Sequence, residues 1–446
     1  MTADRPRGAA LGVAASLVFV VGSFAWVFPG ASSSIVGSWL LPVSSIVALG
    51  LALGLAVDWP WLRGFVVVLV VTLIIGWAKA SDSANATSHF AGASLGLLLM
   101  FIVGRVVCNQ QRLRWALLAL LGAGGVVLVL ALAASEPSSS ASVVSVISSV
   151  LPTVRLGLDG LEPGGGVNVN AIAAAALLIV PFGVAVLFFR GHEKIDLIGL
   201  QPLGFIVVLI GLLALAWSES RSAMMAVWLT LACLLVRGVR WWVWRLLIGT
   251  LVVGSPLLVI TSVPATSRAD FLLTASLVWR TTGERADILN SGVERWRESP
   301  WFGIGMNEFR NVFTPPPLQN GANPGDTALW PTPDYDVAHV HNVFLQTALD
   351  IGLVGLAAYC GVLGLLLFRA DHAARGPTGS GRAAAVGGGL ALVAISMFGL
   401  GDAVALGAKI GLFQWLAGGL ILAAWRTQLE IGKGTHAVGC RDEIGA

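Results

Sequence analysis

The chain has 446 residues, of which 56% are hydrophobic and only 11% charged, where a soluble domain carries about 25% charged residues. This composition excludes a soluble globular enzyme and a disordered chain alike. A net charge of +3 is too small to point to nucleic acid as a partner. Apolar runs of roughly 18–25 residues recur along the whole length, the mark of an all-α polytopic membrane protein.

In chain order, the hydropathy pattern predicts 12 spans, near 9–28, 35–57, 64–80, 90–107, 115–134, 169–189, 198–217, 222–236, 246–262, 341–368, 385–401 and 404–424. The first follows Arg5 and Arg7 and could pass for a signal peptide, but its length and the immediate second run favour a retained span. An even number of spans puts both ends on one side. The segments on that side carry Arg5, Arg7, Arg63, Arg105, Arg112, Arg114, Arg190, Lys194, Arg237, Arg240, Arg245, Arg369, Arg375, Arg382, Arg426, Lys433 and Arg441; the short loops opposite carry only Lys79, Arg155 and Arg221. The positive-inside rule therefore predicts cytoplasmic termini. Tryptophans such as Trp59, Trp61, Trp77, Trp217 and Trp425 fall at span ends, as interfacial belts do.

Two outer segments are long. Residues 135–168 are rich in Ser and Gly and read as a loop. Residues 263–340 hold nine acids and six arginines, with Pro315, Pro316 and Pro317 in the middle, and are the only soluble-like part of the chain. The expected organisation is thus nine spans over 1–262, an extracytoplasmic catalytic loop over 263–340, three spans over 341–424 and a cytoplasmic tail over 425–446. None of the four cysteines lies in the large loop, so neither a disulfide framework nor a CxxC metal site is implied. Small-residue spacings, Gly50/Gly54, Gly92/Gly96 and Gly387 to Gly389, suit close helix packing.

Three polar constellations can carry chemistry. Arg221 sits in the short turn Ser218-Glu219-Ser220-Arg221 between two spans at the outer face. There it either snorkels to lipid headgroups or presents a guanidinium fork to a phosphate. Residues 280–298 predict an amphipathic helix on which Arg285, Leu289, Gly292 and Trp296 share one face, with Gly292 expected to admit a close approach. On this face Arg285 is either an interfacial anchor or a ligand-facing cation, and Arg280 lies close enough to compete for that role. The helix stops in the turn Ser299-Pro300-Trp301-Phe302-Gly303-Ile304-Gly305. The third constellation, Asp334-Tyr335-Asp336-Val337-Ala338-His339-Val340-His341-Asn342, opens the tenth span. A histidine at a water–membrane boundary is either held by backbone at a helix start or acts as a base near neutral pH. A divalent-cation site built from Asp334, Asp336, His339 and His341 is the rival reading. Gly92-Ala93-Ser94-Leu95-Gly96 matches a serine-hydrolase elbow in letters only, because it lies inside an apolar span. Among acids in the spans, Asp402 is expected to pair with Lys409 seven residues on.

Taken in order, Ser220-Arg221, Arg285 with Trp296 and Pro300-Trp301-Phe302-Gly303-Ile304-Gly305, and His341-Asn342-Val343-Phe344-Leu345-Gln346 leading to Gly352-Leu353-Val354-Gly355 resemble the O-antigen ligase superfamily of membrane glycosyltransferases. Asn168-Val169-Asn170 ahead of an Ala-rich span also looks like the family. The resemblance implies a GT-C-like fold and a glycan donor linked to undecaprenyl pyrophosphate. It implies a glycolipid or glycan acceptor, such as lipid A-core, at the outer face of a bacterial cytoplasmic membrane. Arg221 and Arg285 would hold the pyrophosphate, and His341 would activate the acceptor hydroxyl in an inverting transfer without metal or other cofactor. His339 is the alternative base; His341 is favoured because Asn342 follows it directly, and Arg280 and Asn170 are further candidates. A polymerase using the same donor is the nearest alternative, and a lipid-linked glycan transporter a more distant one.

Overall fold

The apolar runs fold into helices, and every regular element among the described residues is helical. The computed structural model describes residues 14–23, 35–134, 169–188, 198–218, 220–238, 283–313, 339–376, 379–402, 404 and 406–432, with the side chains at 35–39, 133–134, 169, 198, 221, 233–238, 283–287 and 430–432 excepted. The helices are α1 (Ala14–Ser23), α2 (Ile35–Leu55), α3 (Pro60–Lys79), α4 (Ser83–Val106), α5 (Gln110–Ala134), α6 (Val169–Phe188), α7 (Gln201–Ser218) and α8 (Arg221–Gly238), then α9 (Gly283–Glu298), α10 (Phe309–Val312), α11 (Val343–Ala373), α12 (Gly379–Phe398) and α13 (Gly411–Gly432).

Eight of the described helices are long and apolar enough to cross a membrane: α2 to α7, α11 and α12. The shorter apolar helices Ala14–Ser23 and Ser222–Ala232 fall where the first and eighth spans are expected. The expected ninth span, 246–262, lies outside the described residues. The last expected span is displaced: turns occupy the described residues between Gly399 and Ile410, and the helix runs from Gly411 to Gly432. Gln414, Arg426, Thr427 and Gln428 lower its hydropathy, and inside the bundle Gln414 is satisfied by Tyr359 Oη at 2.6 Å.

One large apolar core joins α2 to α8 and α11 to α13. α4 packs on α13, α6 on α7 and α12, and α3 on α11. Small residues set the close crossings. A Cβ on Gly96 would enter the Trp415 indole, and one on Gly388 would sit 3.1 Å from the Ala417 carbonyl. Gly50, in contrast, faces open space and takes no part in helix contact.

The bundle has two chemically different ends. At one lie Arg105 bound to Asp58, Arg112 donating to the Val106 carbonyl at 3.0 Å, Arg426 donating to the Arg105 carbonyl at 3.3 Å, and Arg369 between Trp61 and Trp425. At the other lie the α3–α4 turn, residues 299–313, residues 339–342 and the turn after α12.

α11 is not one continuous span. Gly352 has φ 75° and ψ 179°, so the helix is broken into an upper piece ending at Ile351 and a lower piece beginning at Leu353. Inside a bilayer a break strands backbone groups that water cannot satisfy. Here the Pro300–Gly305 turn supplies the partners. Leu353 N donates to the Pro300 carbonyl at 2.8 Å, Val354 N to Trp301 O at 3.3 Å, and Ile304 N to Leu349 O at 2.7 Å. The fit demands glycine on both sides: a Cβ at Gly352 would strike Trp301 O, and one at Gly303, itself at φ 72°, would strike Leu349 O. Gly352→Ala should therefore destabilise the protein by about 2–4 kcal/mol, the scale of a glycine-only conformation compounded by a clash. Gly364→Ala, with nothing within 4 Å of the added methyl, should leave stability unchanged or raised. Thermal melts of both variants in detergent check this pair.

Candidate functional site

The residues before α11 are shaped by its first turn. Asn342 is the N-cap: its Oδ1 accepts from Phe344 N at 3.0 Å and Leu345 N at 2.9 Å, satisfying two orphan donors of the helix start. Its amide nitrogen donates to the Leu400 carbonyl at 3.1 Å, and Val343 N donates to Gly399 O at 2.7 Å. The start of α11 is thus clamped to the end of α12. His341, immediately before the cap, takes the left-handed conformation at φ 50°, which is uncommon for a residue with a side chain. The clamp holds it there and aims its ring at the turn after α12.

That turn presents Asp402, only 2% exposed. Asp402 Oδ1 lies 3.1 Å from His341 Nδ1 and 3.4 Å from His339 Nε2, and the two imidazoles meet at a ring separation of 4.7 Å. Burial pushes the Asp402 carboxyl up, but hydrogen bonds and opposing charge from His339 and His341 outweigh it and hold the group well below the usual carboxylate range. The stabilisation from this pairing is complete above the usual carboxylate range, and is lost only as pH falls through the depressed value. A carboxylate has no proton to give, so the ring nitrogens facing it carry the hydrogens. In a neutral His341 ring this leaves Nε2 as the lone-pair nitrogen, the arrangement of a base oriented by an acid.

A hydrogen-bonded frame extends from this pair. Val340 N donates to Gln346 Oε1 at 3.2 Å, and Gln346 Nε2 donates to Asp350 Oδ1 at 2.9 Å. Asp350 Oδ1 also accepts from Asn307 N at 2.9 Å. Beyond it, Glu308 accepts from Ser81 N at 2.9 Å and from Ser81 Oγ, while Lys79 Nζ bonds Ser299 Oγ at 2.8 Å and the Gly303 carbonyl. The outer turn, the α3–α4 turn and the start of α11 form one unit.

The expected arginines are placed by their helices. α9 packs on α11 through Ile288, Val340 and Leu349, and a Cβ on Gly292 would lie 2.8 Å from Val340 Cγ1. The close approach expected at Gly292 is therefore made, and Arg285 stands two turns earlier on that helix. Ile288 rather than Leu289 is the buried residue of this face. Arg295 bonds Glu298 at 2.9 Å and the Val312 carbonyl at 3.3 Å, away from the site. Arg221 opens α8, and its neighbour Ser222 would meet a Cβ on Gly401 at 2.6 Å, one residue from Asp402. The side chains of Arg221 and Arg285 are outside what the structure describes. Asn170 is half-buried at the start of α6, at the end of the bundle shared with Ser218. Arg280, Asp334 and Asp336 lie outside the described residues.

Two expectations change. Asp402 does not pair with Lys409: the described residues between them form no helix, Lys409 is exposed, and Asp402 faces the histidines. A cation-binding set is available, but among the described residues it is His339, His341 and Asp402, whose donor atoms lie within 4.8 Å of one another. Removing the Asn342 cap by Asn342→Ala should cost about 1–2 kcal/mol. Asn342→Asp, which keeps the cap but loses the donor to Leu400, should fall between; detergent melting curves rank the three proteins.

With the geometry established, the comparisons are informative. Residues 206–360 match the sequence model of the family described as O-antigen ligase. The match contains Arg221, Arg285, His339, His341 and Gly352 and ends before Asp402. No curated protein matches the chain.

Proposed function

We propose that this chain belongs to the O-antigen ligase superfamily, whose sequence model matches residues 206–360, and that it transfers a glycan from an undecaprenyl-pyrophosphate carrier to an acceptor hydroxyl such as that of lipid A-core. The observation that carries the reading is the His341–Asp402 pair at 3.1 Å, held at the end of the bundle opposite the arginines. His341 Nε2 takes the proton of the acceptor hydroxyl. The hydroxyl oxygen attacks the anomeric carbon from the face opposite the leaving group, so configuration inverts. The bond from that carbon to the pyrophosphate oxygen breaks, and its electron pair leaves with the pyrophosphate. Arg221 and Arg285 hold that leaving group and match its charge, so neither a metal nor a general acid is required.

The separation of the two ends supports the orientation. The arginine-rich end belongs in the cytoplasm, which puts both termini there and the histidines at the outer face of a bacterial inner membrane. In this reading the complete bundle has 12 spans of GT-C type, and 263–340 is the extracytoplasmic catalytic segment. The carrier's tail stays in lipid while its headgroup meets the enzyme at the boundary.

The test is glycan transfer in a knockout strain. His341→Ala and Asp402→Asn should each reduce transfer about 100-fold or more, the scale of general-base catalysis. Arg221→Ala and Arg285→Ala should each reduce it about 30- to 1000-fold. Chelator should change nothing, and His339→Ala should retain most activity. If chelator abolishes transfer and both histidines prove essential, the His339–His341–Asp402 cluster is a metal centre and the base mechanism fails. Polymer accumulating on the carrier in the knockout identifies a ligase; core capped by single repeat units identifies a polymerase with the same donor.

A further inference from the structure

At the arginine-rich end, Arg369 near the foot of α11 lies between two indoles. Its guanidinium carbon is 4.5 Å from the Trp61 ring and 4.4 Å from the Trp425 ring, and the two indoles meet edge to face at 5.8 Å. These three residues come from α11, α3 and α13, so the arrangement is made by the fold and not by a local turn. Arg369 forms no hydrogen bond or ion pair among the described residues, and Arg369 Nε, Trp61 Nε1 and Trp425 Nε1 are buried without an acceptor.

What this cluster lacks is acceptor oxygen and negative charge. The two acids described nearby are engaged, Asp58 with Arg105 and Asp371 with Arg375, while Arg105, Arg112, Arg382 and Arg426 add positive charge to the same end. The two indoles meet almost at a right angle, so the guanidinium sits in the corner they form, and the half-buried side chain keeps part of its N–H edge open, the edge that grips two phosphate oxygens. The position favours a lipid over a free ion. Arg369 is at the end of a span, flanked by tryptophans at the interfacial level, and the adjacent Phe368 is 64% exposed on the surface where acyl chains run.

We infer that Arg369, Trp61 and Trp425 form a binding site for the phosphate of an anionic glycerophospholipid in the leaflet at the arginine-rich end. The corner of the two indoles seats the fork, the fork takes two phosphate oxygens, and the surrounding arginines select a headgroup with net negative charge. The site is remote from the histidines and does not depend on the reaction assigned to them. It predicts that this protein is stabilised by anionic lipid through one identifiable side chain.

The experiment is thermal unfolding of the purified full chain in neutral detergent, with added phosphatidylglycerol, phosphatidylethanolamine or inorganic phosphate. Phosphatidylglycerol should raise the wild-type Tm by several degrees, and neither of the others should. Arg369→Gln should raise the phosphatidylglycerol concentration for half-maximal effect at least tenfold, Arg369→Lys should restore only part of it, and Arg375→Gln should behave as wild type. Where Arg369→Gln does not yield folded protein, Trp61→Leu and Trp425→Leu remove the rings that seat the guanidinium, and each should weaken the response. An undiminished response in Arg369→Gln, or in both tryptophan variants, overturns the site. An equal response to phosphatidylethanolamine overturns its charge selection, and an equal response to inorganic phosphate overturns the lipid as its source.

Discussion

A helix broken inside a membrane must find partners for the backbone groups it frees, because lipid offers none. The break at Gly352 and the Pro300–Gly305 turn that fills it satisfy one another, with Leu353, Val354 and Ile304 as donors. From this contact the rest of the site is built outward. It fixes residues 299–313 against α3 and α11, and so brings Asn307 to Asp350 and Glu308 to Ser81. It also sets the height at which the upper piece of α11 begins, and thus where Asn342 and His341 stand.

The second constraint is the burial of Asp402. An ionised carboxylate away from water is tolerated only with partners that compensate its lost hydration. His339 and His341 are those partners, so the same contact that keeps Asp402 ionised also fixes the tautomer and direction of the imidazoles. His341 makes the shorter contact and sits beside the helix cap, while His339 is at the limit of hydrogen bonding. The two histidines that stand alike in sequence are thereby made unequal.

Much of the fold was legible because hydropathy over some 20 residues has few other readings, and α2 to α7 fall where apolar runs placed them. Gly292 was legible as a close approach, since it is the one small residue on an otherwise large face of α9. The break in α11 was not, because Gly352 stands inside a stretch that hydropathy reads as one span and its partner turn is some fifty residues earlier. The turn itself could be read from proline and glycine, but not what it fills. Asp402 was hidden for a similar reason: it is 61 residues from His341, and a lone acid between apolar runs invites pairing with the nearest cation. That pairing needed a helix through Asp402 and Lys409, and Gly399, Gly401, Gly407 and Gly411 disfavour one there. The only available clue was that an acid at the edge of a span demands a partner.

The frame also separates chemistry from selectivity. His341 and Asp402 are tied to the packed ends of α11 and α12, and Arg221 and Arg285 belong to the first turns of α8 and α9, elements that move only if the core repacks. In the proposed transfer, groups held this way would need little reorganisation as charge develops on the leaving group, which is where electrostatic catalysis gains most. Choice of acceptor makes the opposite demand, for surfaces that vary without disturbing the reacting groups. In the proposed transfer the reacting residues are the ones anchored by helix caps and glycine contacts. A ligase and a polymerase of that kind would share one reacting centre and differ in the surface that delivers the acceptor hydroxyl to His341.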